Sequence, residues 1–331
     1  MKNIYCIIGL CGTAVLPLSA WAECKQSQSD TVVLEATPSI KLHDEGLADA
    51  PFNSGLSCTG LGALNDIHIK YEVHDMPLRL WDESIAASMK IDILDIKKNP
   101  VQFFSGVVLS EYGWINLFTG PNNSVKFFVN VPAGQSIRPG NYVASSPFRV
   151  QWYYSVPAFA AAGLGFFHES PGFKRGAFNI VKDWGSGVES TVNIKITVTK
   201  DCRIVSNDVN FGTAPFAHML QPVKSSVGVR CSSSTPYSVG LSDGQNYKNN
   251  RRNMRSGSNY MGYELYKGNT TARWGSAGQE RWLSQDASAN AAIYDGLAQQ
   301  RYDFVAKILE GDNSQLPAGD YNDNISIEVK F

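Results

Sequence analysis

Gly240-Leu241-Ser242-Asp243-Gly244 fits the G-x-S-x-G nucleophile elbow. That elbow needs a strand before the serine, a helix after it, and an acid and then a histidine later in the chain. The residues that follow, QNYKNNRRN, are turn formers, and the five histidines (His43, His68, His74, His168 and His218) all precede Ser242. The match reads as accidental. His68 and His74, with Asp66, Glu72 and Asp75 nearby, suggest a metal site, but six residues of strand would hold the two imidazoles about 20 Å apart. Alternation instead gives a strand with Asp66, His68, Lys70, Glu72 and His74 facing solvent and Ile67, Ile69, Tyr71 and Val73 facing a core. Asp82, Glu83, Asp92 and Asp95 offer carboxylates without a spacing that pairs them for glycoside hydrolysis. Arg251, Arg252 and Arg255 lie in the polar stretch 242–258, which reads as a solvated loop because no aromatic row or helix terminus accompanies them. No catalytic residue, cofactor or metal is expected.

The elements that would have to position any such groups are strands. The chain has 331 residues, with 29 Gly, 15 Pro, 7 Trp, 14 Tyr and 16 Phe, and no long amphipathic helical run. That composition suggests many short strands joined by turns. Its 29 basic and 30 acidic residues leave a charge of −1, which argues against nucleic acid or an anionic membrane as the main partner. Residues 1–22 read as a secretory signal peptide: Lys2, an apolar run over 4–17, and the small-x-small site Ala20-Trp21-Ala22. Cys6 and Cys11 would leave with it. Of the four remaining thiols, Cys24 and Cys58 bracket one short segment and Cys202 and Cys231 another. Four thiols allow three connectivities, and one disulfide per half is the simplest. Each would stabilise its half by about 3–4 kcal/mol on the loop-entropy account.

Strands are expected at 31–34, 66–74, 90–96, 103–109, 124–131, 148–156 and 191–199, and then at 208–211, 224–231, 237–241, 263–266, 302–308 and 325–331. The last is the cleanest: Ile325, Ile327, Val329 and Phe331 point one way, and Ser326, Glu328 and Lys330 the other. Such a tail is either an ordinary sheet strand or an edge with which another polypeptide pairs by β-augmentation. Residues 191–199 alternate in the same manner and close the first half. Two β-sandwich domains are expected, 23–200 and 201–331, meeting at Lys200-Asp201 with almost no linker. The stretch VPAFAAAGLGFF, 156–167, carries Phe159, Leu164, Phe166 and Phe167 on a small-residue background. It is either a buried connection or short core helix, or an exposed apolar loop of the kind that marks a binding surface. The run 111–118 is a second candidate.

The second half resembles the spore coat U domain, the pilin domain of archaic chaperone–usher pili. The likeness rests on an ordered set: Cys202-Arg203-Ile204, Val209-Asn210-Phe211-Gly212, Val229-Arg230-Cys231, Pro236-Tyr237-Ser238-Val239, Leu241 to Asn246, Arg252-Asn253-Met254, Tyr263-Glu264-Leu265-Tyr266, Arg273-Trp274-Gly275, and Ala318-Gly319-Asp320-Tyr321 with the tail. A two-part layout ending in such a domain resembles the tip subunits of those pili, which carry an amino-terminal adhesive domain. The resemblance implies an all-β chain whose C-terminal domain is an incomplete immunoglobulin-like sandwich, completed by a donor strand. A periplasmic chaperone would supply that strand first, and the adjacent pilus subunit would replace it after passage through an outer-membrane usher. Ile325, Ile327, Val329 and Phe331 would line the accepting edge. With Cys24 just after the cleavage site, no donor arm is expected ahead of it, which suits a terminal subunit exported through the periplasm to the cell surface.

The expectation is therefore a non-enzymatic tip adhesin that mediates attachment to a surface or host receptor and biofilm formation, with Phe159, Leu164, Phe166 and Phe167 as the candidate adhesive loop. A secreted carbohydrate-active or ester hydrolase, and a non-adhesive coat or shaft subunit, stay open at this point.

Overall fold

In the computed structural model, alternation in the strand Val188–Thr199 becomes a layer: Val192, Ile194, Ile196 and Val198 are all buried, the last three in one core, while the residues between them face outward. The structure describes residues 23–331 except 60, 64, 114–116, 162–163, 177–179, 311–312 and 314, together with the side chains of all but 61–63, 65, 111–113, 159 and 161 of these. The expected signal peptide, 1–22, lies outside the described residues.

Val188–Thr199 is flanked by Phe148–Ala161 on one side and Gly140–Ala144 on the other. The sheet continues through Asn65–Asp75 to Val107–Val108 at one end, and through Arg79–Asp82 to Ala87–Lys90 at the other. A second sheet, in the order Cys24–Gln26, Leu47–Cys58, Ser124–Val131, Asp92–Leu94, packs on it. The enclosed core centres on Phe52, Tyr71, Phe127, Phe148 and Trp152, whose rings meet tilted or edge to face at 5.2–6.2 Å. The strand Leu47–Cys58 (LADAPFNSGLSC) gives no clear period in sequence because Pro51, Ser54 and Gly55 interrupt it. Its Phe52 and Leu56 are fully buried, and Ser54 is buried with its hydroxyl donating to the Val125 carbonyl at 2.5 Å.

A second core starts two residues after the first ends. Cys202–Ser206, Val223–Cys231, Gln300–Ile308, Asn259–Lys267 and Arg252–Ser256 form one sheet in that order; Trp282–Leu283, Ser238–Leu241 and Ile327–Lys330 form the facing one. Trp274, Tyr302, Trp282 and Phe304 fill the space between. The chain is thus an all-β pair of sandwiches, as expected. Disulfides join Cys24 to Cys58 and Cys202 to Cys231, each pairing directly opposed residues of neighbouring strands.

Three expected strands changed character, one of them because 90–96 divides between Ala87–Lys90 in the first sheet and Asp92–Leu94 in the second. Residues 208–211 lie outside any ladder among the described residues; Val209 and Phe211 still pack on the core, and the strand is Cys202–Ser206 instead. Of 103–109, only Val107–Val108 forms a ladder, because Phe104 takes a left-handed backbone (φ 53°) that breaks the extended run.

The junction is polar and short. Asp201 accepts the Ile40 amide at 3.0 Å and the Ser232 hydroxyl at 2.8 Å. Arg230 donates to both Asp44 oxygens (2.7 and 3.4 Å) and to the Gly296 carbonyl. The hydrogen bond from Arg230 holds the Asp44 carboxyl below its ordinary pKa, against a smaller opposing effect of burial. A carboxylate with a depressed pKa contributes stability above its unfolded pKa of about 3.9 and loses it as pH falls through the folded value. The junction is therefore expected to keep its shape from pH 7 to 5 and to loosen only below about pH 4. Small-angle scattering should show the loosened profile at pH 7 in Arg230→Ala, and opening of the native chain between pH 6 and 5 would contradict the assignment.

Candidate functional site

Cross-strand partners in an antiparallel ladder share a face, and this identifies partly uncovered core-facing side chains in the second sandwich. Ile204 stands opposite Val229, which is fully buried, so it faces the core; yet Ile204 is 40% exposed. Ile327 stands opposite Leu241 and Val329 opposite Val239, both buried. Ile325, Ile327 and Val329 are themselves only half-buried against that core, and Phe331 is exposed, 5.3 Å from the Lys200 ammonium. Ile327–Lys330 and Cys202–Ser206 are each the terminal strand of their sheet. The ladder of Cys202–Ser206 stops at Ser206–Val227, so 223–226 are paired only with Gln300–Ile308 among the described residues. Both terminal strands therefore carry core-facing side chains that their own sheets leave partly uncovered.

The outward face of the tail is tied down. Arg281 donates to the Glu328 carboxylate at 2.7 Å and to the Glu328 and Ser238 carbonyls, lying flat over Gly240, where a Cβ would collide with it. The Glu328 carboxyl is held below its ordinary pKa by hydrogen bonds from Lys330 and then Arg281. Ser242, the serine of the apparent elbow, accepts the Ser326 amide at 2.9 Å; it anchors the tail, and no helix follows it.

The second feature belongs to the first sandwich. Phe148–Ala161 runs for 14 residues, roughly 45 Å at strand rise. Its first part pairs with Val188–Thr199, and its later part instead carries a hairpin partner, Leu164–Glu169, with Leu61–Ala63 alongside. The stretch expected as a connection, short helix or loop is therefore a β-hairpin. Its register shifts between Pro157 and Phe159, where proline lacks an amide to donate. Leu164 and Phe166 are 79% and 78% exposed. Phe167 is half-buried, with the Arg175 guanidinium 3.8 Å above its ring. The backbone of Phe159 pairs with Phe166; its side chain lies outside the described residues. In the run 111–118, residues 114–116 are likewise outside, and Leu117 and Phe118 are buried.

The remaining chemically suggestive residues serve the fold. His68 is buried, not solvent-facing, because Phe173 stacks over its ring at 6.2 Å; His74 lies 3.6 Å from Glu189. Asp82 accepts the Ser84 and Asn141 amides, and Asp95 those of Lys97 and Asn99, while Glu83 and Asp92 face solvent. The basic cluster is not one loop. Arg252 begins a strand and is fully buried, paired with Glu264 and donating to the carbonyls of Leu241, Ser242 and Trp274. Arg255 is exposed. A guanidinium with five donors can satisfy a bundle of buried carbonyls in a way no loop composition announces. Arg175 also escaped the sequence reading, since FKRG carries no periodic or motif signal.

Residues 188–328 match the Spore Coat Protein U domain family. Among solved structures, the chain is similar to one in the CsuC–CsuE chaperone–tip adhesion subunit pre-assembly complex from archaic chaperone–usher Csu pili of Acinetobacter baumannii. Identity is 40%, the alignment covers 93% of this chain and 100% of that one, and the TM-score is 0.78. The CupB6 tip adhesin of Pseudomonas aeruginosa aligns over 93% of this chain and 92% of its own at 9% identity and a TM-score of 0.28. No curated protein matches.

Proposed function

The chain belongs to the family of archaic chaperone–usher tip subunits built on a Spore Coat Protein U domain, and from that membership we propose that it is a non-enzymatic tip adhesin whose second sandwich accepts a donor strand. The observation that carries this reading is a contrast within the molecule. Val188–Thr199 and the tail alternate alike, but the inward residues of the first are fully covered and those of the second are half-covered beside an open edge. A periplasmic chaperone would fill the gap first, and an adjacent pilus subunit would do so after passage through the usher. The CsuC–CsuE match supports the chaperone step, because that complex pairs a tip adhesion subunit with its chaperone.

Attachment to a surface or receptor, and the biofilm that follows from it, would be the task of the first sandwich. Its hairpin presents Leu164 and Phe166 bare of cover. Large side chains left this exposed suit burial against a second apolar surface.

Periplasmic co-expression with the archaic pilus chaperone of the same source tests the reading. The two should co-purify one to one, and the chain alone should aggregate or be degraded. A stable, soluble monomer without the chaperone would mean that the sandwich is complete and the tail an ordinary strand.

A further inference from the structure

The exposed hairpin has a structural problem. Beyond Ser155 it leaves Asn65–Asp75 and Val188–Thr199, and only the three residues Leu61–Ala63 pair beside it, so this narrow ribbon gains little stability from its neighbours. What lies across it at that level is Arg175. The residue belongs to a separate, small hairpin, Lys174–Arg175 paired with Val181–Asp183, laid over the face opposite the core. Its Nε donates to the Ser155 hydroxyl at 2.7 Å and lies 3.3 Å from Glu169; its terminal nitrogen donates to the carbonyls of Asp66 (3.2 Å) and Ser155 (3.3 Å). The Ser155 hydroxyl donates in turn to Glu169 at 2.8 Å. The flat face of the guanidinium covers the Phe167 ring at 3.8 Å.

Ser155, Asp66 and Glu169 lie on three adjacent strands, Phe148–Ala161, Asn65–Asp75 and Leu164–Glu169. One side chain, 14% exposed, therefore straps all three. Its charge is met by Glu169 and by the ring, so it faces inward and offers no cation to a ligand. Phe167 is drawn down onto it, while its neighbour Phe166 is left standing out.

We propose that Arg175 is the positioning residue of the adhesive hairpin, holding Phe167 and the strand Leu164–Glu169 so that Leu164 and Phe166 meet a surface already ordered. This rests on the hairpin being adhesive. Ordering a contact element before binding removes an entropic cost that would otherwise weaken attachment. The role needs a planar fork that stacks and donates at once, which lysine cannot reproduce.

The test uses the chaperone-bound chain on a methyl-terminated monolayer, reading dissociation rate under flow and the thermal midpoint of the complex. Arg175→Lys should speed dissociation about tenfold, the order expected for a partly desolvated cation–π brace. Phe167→Leu, which keeps bulk but removes the ring, should match it, and the double variant should add little, since both remove one interaction. Midpoints should stay at the native value, which a merely structural role would not allow. If Arg175→Lys does not fold, Phe167→Leu alone decides: unchanged dissociation overturns the proposal. So does native behaviour of Arg175→Lys, or full additivity. Paired aspartates at Leu164 and Phe166 separate the two levels: if they release the chain and Arg175→Lys does not, only the brace fails; if they do not, the adhesive reading fails.

Discussion

Replacing Leu164 and Phe166 together by aspartate is expected to abolish attachment, by two orders of magnitude or more, while leaving assembly intact. Burying one such side chain is worth about 1.5–3 kcal/mol, so two together exceed what a factor of about one hundred requires. Substitution removes that gain and adds two carboxylates that would have to be desolvated at the contact. Folding should be indifferent, since both side chains are almost fully exposed and neither belongs to the buried core. The measurement is adhesion of piliated cells, with pilus number counted in parallel. Normal piliation with normal attachment would remove the hairpin from the adhesive surface. Phe167 is the wrong residue for this experiment, because its loss would also undo its contact with Arg175.

Aspartate at both Ile327 and Val329 should be equally severe, in the second sandwich. These side chains face the core beside the open edge. A donor strand would complete their burial, and two charges there would oppose it with several kcal/mol each. Chaperone co-purification should fall below detection and the chain should vanish from the periplasm. Outward changes on the same strand, such as Ser326→Ala or Lys330→Ala, should leave capture within about twofold, because they alter only the exposed face. If the double variant Ile327→Asp, Val329→Asp still co-purified one to one, this edge would not be where the chaperone pairs.

The sequence carried much of this. Period-two alternation marked 66–74, 191–199 and the tail, and Ile67, Ile69, Tyr71 and Val73 are the buried side of their strand. Bracketing also singled out the cysteine pairs that the structure joins. Where it failed, a non-local partner overrode a local signal. Leu47–Cys58 is a strand because two neighbours pair with it, although Pro51 and Gly55 disfavour one. Val209 and Phe211 alternate like a strand and pack on the core, but nothing among the described residues pairs with their backbone. The small-residue run at 156–167 read as a loop or a helix because alanine and glycine carry little strand preference; the hairpin is imposed by Leu164–Glu169 and Leu61–Ala63.

Alternation is a property of one strand and says only which of its faces is apolar. Sequence alone therefore determined that the tail and 191–199 each have a face that wants cover, and that the chain is built of strands with two short disulfide loops. Whether that cover is present depends on which other strands stand opposite. Only the tertiary structure decided that the core closes over Val192 to Val198 and stays open beside Ile204, Ile327 and Val329. The same holds for the charges: Arg175 and Arg252 look like any surface arginine until the carbonyls, carboxylates and ring that surround them are brought in from positions distant in the chain.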